Sequence, residues 1–322
     1  MSLEIAMLKK EHLENAAKLV CTRYKALRNQ VPVLPVRCQE ADAVLDLLHD
    51  LSEEAEGVIA LQDGILVGFL MGFVIPEFMG KHSAYSPVWA NSAVPGQSRR
   101  IYEEMYTRIS DRWVKNGCFT HIVSLMAHDL QGFEAWNWLG FGLINVDSVR
   151  QLTPLERGNV DIEVRQASFQ DATILSELGR ALEQHEAAAP TFWIHELQDF
   201  GEKLSEPGNA AWLAVDGGQV LGFMALEPGD DCECALLRDA KTVNILGAFT
   251  IQAARGKGAA TSLLDHALAW ARLQGYERCS VDFESMNTLA ARFWMRWFEP
   301  VSYSLLRSLD ERITVNRLRS QP

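Results

Sequence analysis

Apolar residues along the chain fall into two rhythms. The stretches "VIALQDGILVGFLMGF" (Val58 to Phe73) and "WLAVDGGQVLGFMALE" (Trp212 to Glu227) are strand-like apolar runs, each broken once by an Asp/Gly pair or triplet, and each predicts a β-hairpin with a tight turn. Superposing Gly68-Phe69 on Gly222-Phe223 brings Ala60 onto Ala214 and Gly64 onto Gly218. Elsewhere the rhythm is helical. Ile101, Met105, Ile109 and Trp113 recur at fourth positions, and Leu263, Leu264, Ala267 and Trp270 obey the same one-sided rule. These stripes predict helices laid on a sheet, so their residues belong to the core.

The two hairpins sit in the same order of parts. Before each comes a short strand and helix ("LEIAMLKKEHLENAAKLVCTRYKAL" against "DIEVRQASFQDATILSELGRALEQH"). After each comes a strand, a long helix ("SRRIYEEMYTRISDRWVKNG" against "GKGAATSLLDHALAWARLQG"), a further strand and a short aromatic helix ("FEAWNWLGF" against "ARFWMRWFEP"). The chain therefore reads as a duplicated α+β unit, with mixed central sheets flanked by helices. Pro154 and Gly158 interrupt the pattern in "LTPLERGNVDIEV", which places the expected boundary between residues 155 and 156.

Composition narrows the function classes. The 322 residues suit two domains with proper cores, and 48% hydrophobic with 22% charged content is that of an ordinary globular protein. A formal net charge of -12 argues against nucleic acid, which needs a basic face, and is compatible with a cationic or amine partner. Of the six cysteines only Cys232 and Cys234 are close, without further ligands at metal spacing, so no metal and reduced thiols are expected. The opening "MSLEIAMLKKEHLENAAKLV" carries charges throughout and resembles neither a secretory signal nor a membrane anchor. No membrane association and a cytoplasmic location are expected.

Chemistry concentrates in "NILGAFTIQAARGKGAATSLLDHALAWARLQGY", from Asn244 to Tyr276. A strand-like run ends in Arg255-Gly256-Lys257-Gly258-Ala259-Ala260 and turns straight into a helical pattern. Small side chains let the backbone approach a ligand, first-turn N–H groups supply donors, and the helix dipole with Arg255 and Lys257 favours an anion. A phosphate is the natural occupant. Neither a Walker loop nor the Gly-x-Gly-x-x-Gly dinucleotide fingerprint is present.

The strand, loop and helix around Arg255, Gly258 and Ala260, followed by Asn287, Ala290 and Phe293-Trp294, resemble the GCN5-related N-acetyltransferase (GNAT) family. That family's signature is Gln or Arg, two residues, Gly, one residue, then Gly or Ala. Two tandem copies resemble the mycothiol-synthase type of arrangement, in which one copy works and the other is degenerate. The resemblance implies two tandem GNAT-like domains and acetyl-CoA as co-substrate. It assigns Phe249, Thr250 and Ile251 to backbone pairing with the pantetheine arm, the N–H groups of Arg255, Gly256, Lys257, Gly258, Ala259, Ala260 and Thr261 to the pyrophosphate, and Asn287 to the same site. Whether the Arg255 and Lys257 side chains reach the phosphate or stay solvated is open at this level.

Acetyl transfer to an amine needs a base, an oxyanion donor and a proton for the leaving sulfur. An alkylammonium has a pKa of about 10.4, so proton removal falls to a carboxylate directly or through water. Glu284, ending the "CSVDFE" strand, and Glu233 are the candidate bases, and Asp282 shares the strand face of Glu284. The oxyanion donor is expected at the N–H of Phe249 or Thr250. Many relatives carry a Tyr as general acid where this chain has Trp294, a packing residue by type, which leaves Ser285, Tyr276, Tyr303 or no group at all. The acceptor side would be "EQHEAAAPTFWIHEL", with His185, Glu186, Trp193 and His195.

The first half reads "SAVPGQSRRIYEEMY" where the second has its small-residue loop, so it is expected to be degenerate and to bind no acetyl-CoA. The expected function is acetyl transfer to a primary amine of a small molecule or peptide, with the chemistry in the second half. A non-catalytic acyl-CoA sensor and a purely structural scaffold are the competing readings.

Overall fold

The structure is a computed structural model that describes residues 2–155, 162–194 and 198–313. In chain order it contains β1 (Leu3–Met7), α1 (Leu13–Gln30), α2 (Ala41–Ser52), β2 (Glu56–Gln62), β3 (Ile65–Phe78), β4 (Lys81–Ser86), β5 (Asn91–Ala93), α3 (Ser98–Lys115), β6 (Thr120–Met126), α4 (Leu130–Trp138) and β7 (Gly142–Gln151). There follow β8 (Glu163–Gln166), α5 (Ala172–Glu186), α6 (Phe200–Lys203), β9 (Ala210–Asp216), β10 (Gln219–Pro228), β11 (Thr242–Thr250), α7 (Ala259–Leu273), β12 (Arg278–Glu284), α8 (Thr288–Trp297) and β13 (Glu299–Ser308). His195 and Gly158 lie outside the described residues.

Both expected hairpins form, and in the same way. Asp63 and Gly64 turn β2 into β3 with φ of 52° and 78°, and Gly217 and Gly218 turn β9 into β10 with φ of 55° and 83°. Two successive positive φ values match the right-handed twist of the strands they join. Each hairpin then shifts register by one residue just beyond the turn, between Ala60 and Leu61 in one and between Val220 and Gly222 in the other. A shared bulge at one register position is structural evidence of duplication that composition alone could not give.

The chain divides into two compact units, one holding the residues up to Val146 together with those from Val301 on, the other Asp147–Pro300. The division thus falls at 146/147 and again at 300/301, rather than once at 155/156. In the first unit the strand order is β1-β2-β3-β4-β6-β13, with β5 beside β3. The last strand pairs antiparallel with β6, from Ser302 opposite Met126 to Ser308 opposite Thr120. In the second unit the order is β12-β11-β10-β9-β8, and β7 neighbours β12. Each unit therefore takes one strand from the other half of the sequence.

Local sequence explains the packing. In the first unit a Cβ on Gly68 would lie 2.4 Å from Ile101 and one on Gly72 2.5 Å from the Trp113 ring, so two glycines on β3 admit the α3 stripe. The resulting core holds Ile101, Met105, Ile109, Trp113 and Trp136, all buried. In the second unit Leu175 and Leu178 of α5 and Phe200 of α6 pack on Leu213 and Phe223 of the hairpin, while α7 contributes Leu263, Leu264, Ala267 and Leu268.

Candidate functional site

The site begins where two parallel strands part. β11 and β12 pair at Thr242 with Arg278, Val243 with Cys279 and Asn244 with Ser280, and their pairing ends there. A bulge follows at once, because β10 shifts register on β11 between Ala225 and Leu226. Burial records the parting, since β11 is buried through Ile245 and half-buried from Leu246 to Thr250. The closed end is clasped by side chains. The Ser280 hydroxyl donates to Asn244 Oδ1 at 2.9 Å, and Asn244 Nδ2 donates to Glu227 Oε1 at 2.9 Å.

Which backbone groups face the opening follows from register. In an antiparallel pair the N–H and C=O of one residue point to the same side, and successive residues alternate. The Phe249 carbonyl lies 2.2 Å from where a Cβ on Gly222 would stand, and the Ile251 N–H donates to Leu221 O at 2.9 Å, so both residues are turned toward β10. Ala248 and Thr250 therefore face the gap. This corrects two expectations. The Ile251 N–H is taken by Leu221 O and its carbonyl accepts from Ala254 N–H at 3.0 Å, while the Phe249 backbone groups are turned toward β10. Ala248 takes its place, and only the strand register could have shown it. The Thr250 N–H likewise points to the open side.

Beyond β11 the chain makes a short 3-10 turn over Gln252–Ala254 and enters α7 through two glycines of positive φ, Gly256 at 75° and Gly258 at 92°. Gly258 is the N-cap, with no side chain capping the helix, and its carbonyl receives the first intrahelical bond, from Ser262 N–H. Among the described residues the N–H groups of Gly256, Gly258, Ala259, Ala260 and Thr261 have no acceptor. The N–H groups of Arg255 and Lys257 are used within the turn, by Gln252 O at 3.2 Å and Ala254 O at 3.3 Å. Those two residues keep only their charges for an anion. Arg255 turns its guanidinium back along the strand, donating to Thr250 O at 3.2 Å and lying 5.7 Å from the Phe249 ring centroid. Lys257 is exposed.

The acceptor side carries His185, whose ring lies 6.2 Å from that of Phe249. Loss of hydration, then the Arg255 charge, lowers its pKa, so it stays neutral at neutral pH. The carboxylates stand along β12. Ser280, Asp282 and Glu284 alternate onto one face, and the charges of Asp147, Glu233 and Glu284 act on Asp282. Loss of hydration first, then repulsion from those three, pushes the Asp282 carboxyl up to about 8. The residue stays exposed at the open part of the strand, so water opposes part of the rise, and its direction stands on the three carboxylates that act on it. Glu233 is carried by a loop that Arg238 closes, donating from Nε to Cys232 O at 2.5 Å. The sequence had offered Glu284, Glu233 and Asp282 singly. It gave no sign of Asp147, which fell on the far side of the expected boundary and belongs by contact to the second unit.

Two expected residues turn out to hold the frame. Asn287 is the N-cap of α8, its Oδ1 accepting from Ala290 N–H at 3.2 Å, and it is buried. Trp294 is buried, with its ring centroid 4.8 Å from that of Phe293 and 5.5 Å from that of Phe298. Tyr276 packs on Trp270, 6.2 Å between centroids, before the first residue of β12 and so at the opposite end of that strand from Glu284.

The first unit has the same frame with the opening filled. Asp129 caps α4 as Asn287 caps α8, accepting from Gly132 N–H at 3.0 Å. Counting back from these caps puts Met126 and Ser124 where the second unit has Glu284 and Asp282. At the start of β5, Asn91 Nδ2 donates to Ser124 O and Pro87 O, both at 3.0 Å, and its Oδ1 accepts from the Tyr102 hydroxyl at 3.3 Å. At the start of α3, Gly96 N–H is taken by Gln131 Oε1 at 2.7 Å, and Arg99 lies 4.6 Å from the Trp138 ring centroid while pairing with Glu103 at 3.0 Å.

Comparison with known proteins agrees with this geometry. A family model described as "Acetyltransferase (GNAT) family" matches residues 175–298. This segment is a GNAT domain. A GCN5-related N-acetyltransferase from Sphaerobacter thermophilus superposes with a TM-score of 0.55 at 13% identity, covering 95% of each chain. The GCN5-related glucosamine N-acetyltransferase region of a fungal multi-domain GH3 β-N-acetylglucosaminidase gives 0.52 at 12% identity. This chain is covered to 95% in that superposition and spans 38% of the fungal protein. No curated protein matches the sequence. At these identities the likenesses establish the fold, and they run over both units, which are two GNAT-like domains in tandem. The family works by acyl transfer from acyl-CoA. No helix among the described residues is long and apolar enough to cross a membrane, and no group of three or more His, Cys, Asp or Glu there could hold a metal ion. The six cysteines are buried and form no disulfide.

Proposed function

We propose that this protein is an acetyl-CoA-dependent N-acetyltransferase acting on a primary amine of a small molecule or peptide, with the chemistry in the second unit. The observation that carries the reading is one opening with two lined sides. Unused N–H groups at the start of α7 suit a pyrophosphate, the open edge of β11 at Ala248 and Thr250 suits an amide-bearing arm, and carboxylates on β12 suit an ammonium. Bound there, acetyl-CoA supplies an activated acyl group. The chain's own part is to hold it, to take a proton from the ammonium at Glu284, and to offer the Thr250 N–H to the carbonyl oxygen as charge develops. The acidic surroundings concentrate a cationic acceptor and disfavour an anionic one.

The rival reading, a non-catalytic acyl-CoA sensor, has one observation in its favour. The position where a phenol would act holds Trp294, locked in an aromatic stack. Thiol release from acetyl-CoA across a panel of mono- and diamines, amino sugars and peptide N-termini separates the two. Turnover with at least one amine, falling about a hundredfold in Glu284→Gln with acetyl-CoA binding retained, is the expected result. A melting shift with acetyl-CoA and no turnover with any amine favours the sensor, and no shift at all leaves a scaffold.

A further inference from the structure

The closed end of the opening in the second unit is covered on one face by a single aromatic ring, and that ring has a hollow behind it. We infer that Phe200 sets the length of the acyl group this protein accepts, walling the site so that an acetyl group fits and a longer chain does not. The inference rests on the proposed acyl-CoA reading and concerns the donor side of that site.

The place follows from the strands. Leu246 is the residue that the register shift leaves without a partner on β10, between Ile245 opposite Leu226 and Gly247 opposite Ala225. An arm held at the start of α7 and laid along Thr250 and Ala248 reaches Leu246 next, and two residues further, at Asn244, β11 is again paired with β12. A group at the end of such an arm must leave the plane of the sheet. One face is full, because Val243 and Ile245 of β11 and Val281 and Phe283 of β12 alternate onto it and all four are buried. On the other face Ala225 and Glu227 of β10 stand side by side, opposite Gly247 and Asn244, and there the way is covered by Phe200.

Three glycines seat the ring. A Cβ on Gly247 would strike it, and one on Gly179 of α5 would stand 2.7 Å from its Cδ2. Gly201, next in sequence, lies so near α5 that a Cβ would strike Ala172 O and Ser176 Oγ. Asp199 fixes this turn, its Oδ1 accepting from the Gly201 N–H at 2.9 Å and from the Ser176 hydroxyl at 2.5 Å. Glycine inside a helix or strand weakens that element, and Gly179 and Gly247 do so at the two positions that admit Phe200. The ring packs on Phe223, 4.8 Å between centroids, and is buried.

Behind it lies a hollow of about 170 Å³, part of it open to solvent, lined by Phe200, Leu204, Ala211, Ala225 and Leu246 among others. Its polar members are engaged elsewhere. Lys203 Nζ pairs with Glu206 at 3.0 Å, and Asn209 Nδ2 donates to Lys203 O at 2.9 Å. The occupant such a lining suits is a run of methylene groups. Because the ring touches both Gly247 and the hollow, taking it away joins the hollow to the closed end of the opening.

Titration calorimetry with acetyl-, butyryl- and hexanoyl-CoA tests this without turnover, beside thiol release with an amine that the panel identifies. The unaltered protein should bind hexanoyl-CoA roughly tenfold or more weakly than acetyl-CoA, the scale of forcing extra methylenes against a packed wall. Phe200→Ala should leave acetyl-CoA affinity nearly unchanged and tighten the longer donors by roughly fourfold for each added methylene the hollow takes. Phe200→Leu, which keeps most of the apolar volume and so serves if the alanine variant fails to fold in urea unfolding, should shift the same ranking by less. Filling the hollow from the sheet, in Phe200→Ala with Ala225→Leu, should take the gain away. An affinity loss shared equally by all three donors marks Phe200 as a core residue and overturns the proposal, as does hexanoyl-CoA bound by the unaltered protein as tightly as acetyl-CoA. A wider range of amines at an unchanged donor ranking assigns the ring to the acceptor and overturns it too. Failure of the unaltered protein to bind any of the three donors refutes the acyl-CoA reading itself, and the inference with it.

Discussion

A single methyl group on α7 provides the sharpest test of the anion site. Ala260 is a first-turn residue whose N–H has no acceptor among the described residues, and it is half-buried. Ala260→Glu places a carboxylate at a helix N-terminus, where the dipole favours it by about 0.3–1 kcal/mol, offsetting the small loss of helix propensity. Folding stability should thus move by less than roughly 0.5 kcal/mol. Binding should not survive as well. Against a phosphate charge at 4 Å the new carboxylate is repelled by about 1 kcal/mol in bulk water and about 4 kcal/mol near a protein surface, which weakens affinity roughly five- to thousandfold. Gly258→Glu is a poorer probe. Gly258 has φ of 92°, so any side chain there costs about 1–2 kcal/mol before a ligand is involved. Titration calorimetry with acetyl-CoA, beside urea unfolding of the same variant, reads the two effects apart. If Ala260→Glu is as stable as the unaltered protein and binds acetyl-CoA with unchanged affinity, the phosphates do not sit at this helix end.

Two further outcomes concern the first unit. Calorimetry on the intact chain should give one acetyl-CoA per chain, and in Ala260→Glu that one site at weakened affinity, because Asn91, Gln131 and Met126 fill the positions that the second unit leaves open or acidic; a stoichiometry of two defeats that reasoning. Stability should also fall on acidification through His121. Buried between the Tyr106 hydroxyl at 2.8 Å and the Cys118 carbonyl at 3.1 Å, His121 has its pKa lowered to about 4, chiefly by loss of hydration. The folded value lies below the unfolded one of about 6.5, so the contribution is present above 6.5 and is lost as pH falls from 6.5 toward 4, about 2 kcal/mol between pH 7 and pH 5. Urea unfolding at the two pH values measures it, and His121→Gln should flatten the difference; an equal slope in that variant assigns the acid sensitivity to other groups.

Much of this protein was legible in the residue pattern because the relevant physics is local. The period of apolar positions fixed the hairpins and the two long helices, Asp63-Gly64 and Gly217-Gly218 announced tight turns, and the Arg255 to Ala260 run declared a backbone that a ligand can approach, with Gly256 and Gly258 in the left-handed region as small residues there allow. What tertiary structure alone decided is everything set by pairing between distant segments. The sequence pattern was read only as far as the short aromatic helix of each half, and it is the fold that adds the strand Glu299–Ser308 and pairs it with β6 of the first unit. Register, likewise invisible in a single strand, turns Phe249 and Ile251 toward β10 and leaves Ala248 and Thr250 on the open edge. Asp147 reads as an unremarkable strand position until the fold brings its charge to act on Asp282 with those of Glu233 and Glu284, since repulsion between carboxylates depends on distance in space and not along the chain.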